Sequence, residues 1–235
     1  MTEGDAMAPA PAAPAAVTDP VILALLDLAA ERPWSRFDIA DVAVQAGEPL
    51  DSVRARFDGR RAVLAAFFRA IDQAVLATDR SDLTGEKIRD RILDMLLRRF
   101  DALAPYKAGV AGLVRSAKRD PALALTLARL GVLSSGWMLA GAGVSIAGPM
   151  GDAKVLLQSA IFARVLPVWL ADDEPGLDRT MAAIDRELDR VGRLGRRVKG
   201  LTSALKPFAA AADAYRTARD GKPAPATPPA ADPAP

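Results

Sequence analysis

Four arginines, Arg54, Arg56, Arg60 and Arg61, fall within eight consecutive residues. A guanidinium group stays charged at any ordinary pH and offers a planar fork of donors, so such a cluster suits phosphate or carboxylate oxygens, not proton transfer. No nucleophile and base accompany it. The chain has no histidine and no cysteine. That excludes disulfides, thiolate nucleophiles, His or Cys metal sites, and Ser–His or Cys–His catalysis. The expectation is a protein without catalytic residues, cofactor or metal, whose chemistry is binding.

A second binding chemistry is apolar. Trp137, Met138, Phe162 and Trp169 are large side chains set among many Gly and Ala residues. Small residues beside a few large ones can leave a void between helices, the usual place for a small apolar ligand. The same residues could equally pack as core. Ser159 and Arg164 on the Phe162 segment are candidates to orient a polar ligand end. Asp172, Asp173 and Glu174 precede a helix start, where capping and the helix dipole explain acidic residues without a cation.

A third feature is the basic stretch from Arg186 to Lys222, with ten basic and four acidic residues. Its net +6 stands against +2 for the whole chain, which leaves the remainder at −4. Within it Val191, Leu194, Val198, Leu201, Leu205 and Phe208 recur at alternating spacings of three and four. That seam suits a core or dimer helix, a helix lying on an anionic membrane, or counter-charge for DNA. All three readings stay open.

The elements that must position these groups are helical throughout. Asp19-Pro20 opens a first helix that Pro33 stops, Asp38 caps a second ending at Gly47, and LDSVRARF makes a short third. A long helix follows Gly59, with Val63, Phe67, Ile71 and Val75 spaced by four. The next, Lys87–Leu103, places Ile88, Ile92, Met95, Leu96, Arg99 and Leu103 on one face and stops at Pro105. A short helix over 107–118 leads to Asp120-Pro121, which opens another to about Ala140. The uncharged run Leu130–Gly151 reads as two buried helices meeting at a turn. Asp152 is expected to cap the helix that Pro167 would kink, and a final packed helix starts near Leu177. The expected fold class is all-α, about nine helices. Residues 1–18 and 221–235 read as disordered Ala/Pro tails, 19–68 as a helix-turn-helix head, 69–189 as a ligand-binding and dimerisation bundle, and 190–220 as a basic amphipathic helix. An acidic start without an apolar stretch argues against a secretory signal, and a cytoplasmic location is expected.

The head can be compared with a family. Asp38 as cap, Val42-Ala43, Ala46-Gly47, Phe57 and Arg60 keep the frame of a helix-turn-helix over about 48 residues without a gap. This resembles the DNA-binding domain of TetR-type (tetracycline-repressor-like) transcriptional regulators. The resemblance implies a homodimer that reads a double-stranded DNA operator with the third helix and answers to a small apolar effector held in the C-terminal helices. Arg54, Arg56 and Ser52 would then face bases or phosphates, and Arg36, Arg60 and Arg61 would grip backbone. Phe57 would plug the tri-helical core. Glu48-Pro49 stand where the family carries a small apolar residue and a Ser or Thr cap, and residues 21–70 hold seven basic and seven acidic side chains.

The C-terminal part resembles a second group. Trp169, Asp172, Asp173, Leu177, Thr180, Met181 and Asp185 are similar in type and order to a segment of the lipid-binding accessory proteins of coenzyme Q biosynthesis. Those have a TetR-like fold without DNA binding, hold an isoprenoid lipid and dock on membranes by an amphipathic helix. That alternative implies a lipid ligand and peripheral membrane contact through residues 190–208. Outward-facing arginines on the third helix favour the regulator; arginines tied up by neighbouring carboxylates favour the lipid carrier.

Overall fold

Local capping chemistry sets three of the helix starts in the computed structural model, which describes residues 17–77, 85–174 and 176–193. Asp19 caps α1 (Pro20–Glu31), its carboxylate accepting from the Val21 N–H at 2.9 Å. Asp38 caps α2 (Ile39–Ala46) through a reciprocal box with Asp41, and Gly47 ends it in the left-handed region at φ 68°. The short α3 (Leu50–Arg56) has no side-chain cap, because Pro49 stands at its N-cap. Helices α4 (Arg60–Ala77), α5 (Ile88–Leu103), α6 (Lys107–Ala117) and α7 (Pro121–Gly141) follow, with Asp120 capping α7. α8 is Pro149–Leu170. α9 starts at 178 and is helical to 193. Among the described residues there is no strand, and the fold class is all-α.

Four sequence expectations need correction. α8 begins at Pro149, not behind an Asp152 cap; proline suits the first helical position because its missing N–H would be unpaired there anyway, and Gly148 takes φ 71° before it. Val17, assigned to a tail by composition, is buried, and its N–H donates to the Tyr106 hydroxyl at 2.9 Å. The head core is filled by Trp34 and Phe37, which meet edge to face at 5.4 Å, while Phe57 is only half-buried. The bound at 68/69 falls inside the unbroken α4. Residues 1–16 and the basic seam from 194 onward lie outside the described residues.

The described residues up to Glu187 form one unit, and 188–193 are the described part of a second. In the first unit, α1 packs on α6 at two glycines. A Cβ on Gly112 would stand 1.7 Å from the Ala29 carbonyl oxygen, and one on Gly109 would stand 2.8 Å from that of Leu26. Only glycine permits helix backbones this close. Elsewhere the bundle core is aromatic: Phe100 stacks on Phe162 at 5.0 Å and lies against Trp169 at 5.3 Å, and Phe67 meets Tyr106 edge to face.

Candidate functional site

The face of α6 next to the one that carries Gly109 and Gly112 lines a cavity. Val110, Leu113 and Val114 of α6 meet Phe67 and Phe68 of α4, Leu127 of α7 and Phe162 of α8 around about 280 Å³. The wall is apolar but for Arg99 of α5 and the Ser159 hydroxyl of α8. Arg99 is 3% exposed. Its Nη1 donates to the Asp72 carboxylate of α4, which also accepts from the Ser134 hydroxyl of α7. Burial pulls the Arg99 pKa below the usual guanidinium value, and the Asp72 carboxylate opposes that shift. The Phe68 and Phe162 rings flank the guanidinium, with centroids 5.8 and 5.2 Å from Cζ. Helices α4, α5 and α7 are thus tied through one buried charged contact.

Of the four apolar residues expected at a ligand, only Phe162 reaches this wall. Trp169 is buried against Phe100, and Met138 is buried in a separate cluster with Val75 and Met95. Trp137 is 60% exposed and lines a shallow groove with Leu133, Phe68 and Asp72 on the outer side of α4 and α7. Ser159 lies on the wall; Arg164 does not, and it pairs with Glu187 at 3.4 Å. Reading the sequence missed Arg99, although its position on an otherwise apolar helical face was the signal.

The residues of the second resemblance hold the start of α9. The Asp172 carboxylate accepts from the Thr180 hydroxyl at 2.7 Å and its N–H at 2.9 Å. Lys107 donates to the Asp172 carbonyl at 2.7 Å, pairs with Asp173 at 3.0 Å, and lies 5.7 Å from the Trp169 ring.

In the head and at the start of α4 the arginines divide into four groups. Arg60 donates to the carbonyls of Trp34 and Phe37 and sits 4.3 Å over the Trp34 ring, so it is an internal strut. Arg56 bridges Asp19 of the α1 cap and Glu48 of the helix turn. Arg54 pairs with Asp58 at 2.8 Å, both side chains being largely exposed. Arg36, Arg61 and Ser52 are exposed, and Arg36 and Arg61 have no ion-pair partner among the described residues. The three-helix arrangement, with a half-exposed α3 after a left-handed glycine turn, is a helix-turn-helix.

Known structures contain this arrangement. The chain is similar to the TetR transcriptional regulator from Nitrosomonas europaea ATCC 19718, with 17% identity over 73% of this chain and 95% of that one, and a TM-score of 0.57. The chain has the TetR fold. A TetR transcriptional regulator from Rhodococcus sp. RHA1 is also similar, with 21% identity over 72% of this chain, 92% of that chain and a TM-score of 0.48. No family model and no curated protein matches the sequence. Within the TetR fold, the head is α1 to α3 and the cavity lies among α4 to α8.

Proposed function

We propose that this TetR-fold protein is a ligand-responsive transcriptional regulator that works in the cytoplasm as a homodimer, its cavity taking a small apolar effector. The observation that carries this reading is the placement of α6. One face of that helix walls the cavity, and the neighbouring face seats α1 of the head through Gly109 and Gly112. A ligand that shifts α6 therefore shifts the head, which is the differential contact that coupling between two sites requires.

Arg36, Ser52, Arg54 and Arg61 are the groups proposed to meet duplex DNA. The Arg54–Asp58 pair is largely exposed and screened by solvent, so it contributes little and a phosphate can displace it. Arg56 and Arg60 are proposed to hold α3 and the head core, since their donors are engaged within the protein. In a fluorescence-anisotropy titration, duplex from the protein's own upstream region should bind at low salt and weaken as salt rises. Arg54→Ala and Arg61→Ala should each weaken binding a few-fold and lower the salt slope by about 1 per lost phosphate contact. Absence of duplex binding at low salt would overturn the regulator.

One observation favours a second reading. Both arginines of α3 are paired with the protein's own carboxylates, and residues 21–70 carry as many acids as bases. A lipid-binding accessory protein of ubiquinone biosynthesis, with the same fold and no DNA affinity, would look this way. Native mass spectrometry would then reveal a co-purified isoprenoid or acyl lipid, and flotation with anionic liposomes would depend on residues 190–208.

A further inference from the structure

The cavity wall carries one buried cation with capacity to spare. Arg99 spends a single N–H on Asp72, and its Nε and Nη2 make no hydrogen bond to any described residue. Asp72, its partner, is not among the residues lining the cavity and borders the outer groove of α4 and α7 instead. The lining includes no acidic side chain to oppose an incoming anion. The Ser159 hydroxyl, also on the wall, makes no hydrogen bond to a described residue.

Among the described residues the fully buried side-chain nitrogen without a partner is Arg91 Nε, so the unused donors of Arg99 keep some access to the cavity that this residue lines. The second edge of a guanidinium matches a carboxylate bidentately, while its first edge stays on Asp72. The Phe68 and Phe162 rings beside the guanidinium line the same cavity as Arg99. The rest of the wall, with Val110, Leu113 and Leu127, suits a hydrocarbon. At roughly 30 Å³ per water-sized group, a space of about 280 Å³ holds about nine such groups.

We infer that the cavity takes a medium-length amphiphile whose apolar body fills the space among α4, α6, α7 and α8 and whose terminal carboxylate docks on the free edge of Arg99. This rests on the ligand-binding reading above and names the class of its ligand. Arg99 then acts as the selector of ligand charge, and the Arg99–Asp72–Ser134 contact is the place where a bound anion is felt by α4, α5 and α7 together.

The test is calorimetric titration of the full-length protein with octanoate and with 1-octanol. Octanoate should bind about ten-fold tighter, the factor expected when a buried charge-assisted pair is gained. Removing Arg99 alone would strand Asp72, so the informative variant is Arg99→Met with Asp72→Asn, which removes both charges together. It should abolish the preference for the acid and leave octanol affinity within about two-fold. Arg99→Lys, which keeps the charge but lacks the fork, should cut the preference even if the double variant does not fold. Equal binding of acid and alcohol by the unaltered protein, or an undiminished preference in both variants, overturns the inference while leaving an apolar ligand site standing. Binding of neither compound overturns the ligand-binding reading as well.

Discussion

Asp172 and Thr180 show how one pair of side chains places a helix. The carboxylate is 2% exposed and accepts from both the hydroxyl and the N–H of Thr180, which serves one orphan backbone donor of the first turn of α9 and one side-chain donor. The Thr180 hydroxyl is the main cause of a carboxyl pKa held below the ordinary value, outweighing burial, with the Thr180 and Glu174 N–H groups adding to it. The sign follows directly. A depressed acid pKa contributes stability that is complete above the unfolded value of about 3.9 and is lost as pH falls through the folded value. Asp172→Asn should therefore lower thermal stability at pH 6–7, and the gap to the unaltered protein should start to narrow near pH 3.9 and close only once pH has fallen through the lower folded value. Melting curves across that range check it; a gap that persists at the acid end would show a packing role alone. The similarity of this segment to lipid-binding proteins is thus carried by residues with a structural task, which bears less on ligand choice than on the anchoring of α9.

Elements meet here by backbone approach as much as by side-chain packing. At the α1–α6 crossing a methyl on Gly112 would occupy the space of the Ala29 carbonyl, which is backbone and cannot swing aside. Gly112→Ala should therefore cost about 2 kcal/mol or more and lower Tm by about 4–8 °C, even though alanine is the better helix former. Calorimetry checks this. A neutral or stabilising change would mean that the crossing relaxes without loss. That crossing was not legible in the sequence, because nothing in Lys107–Ala117 says which helix comes to lie on its glycines. The caps at Asp19, Asp38 and Asp120 and the stop at Gly47 were legible, since each depends on residues within four positions. Proline with a preceding left-handed glycine displaced Asp152 as the start of α8, a competition that spacing alone does not decide. The candidate site divides along the same line. Phe162 and Ser159 are on the wall, yet Trp137, Met138 and Trp169 are not, because a void belongs to the meeting of several helices and not to one helix's composition. Arg99 was visible as a cation on an apolar face; Asp72 and Ser134, its partners on α4 and α7, were not.

The first contact unit leaves an imbalance of apolar surface. α7 and α8 are long enough and apolar enough to cross a membrane by composition, yet much of their surface faces outward. Leu133 is 66% exposed and Trp137, one turn on, 60%; Met150 and Leu156 of α8 are 71% and 58% exposed. Scattered apolar groups are normal on a surface, but large ones one turn apart on a helix suit a contact with another molecule. A second copy is the occupant proposed with the regulator, because two heads on one duplex must be held about one helical turn of DNA, ~34 Å, apart. Tryptophan is the residue type most often central to such contacts, where truncation costs about 2 kcal/mol or more. Trp137→Arg should therefore raise the dimer dissociation constant about 30-fold or more and shift the protein toward monomer in light scattering at micromolar concentration. The cavity wall carries Leu127 and Gly131 of the same helix but not Trp137, so octanoate affinity should change far less than self-association. If the substituted protein stays dimeric, its partner surface lies elsewhere and the outer groove beside Trp137 is free for another occupant. If it becomes monomeric and loses duplex affinity while keeping its ligand, the two activities are divided between the outer face of α7 and the space behind it.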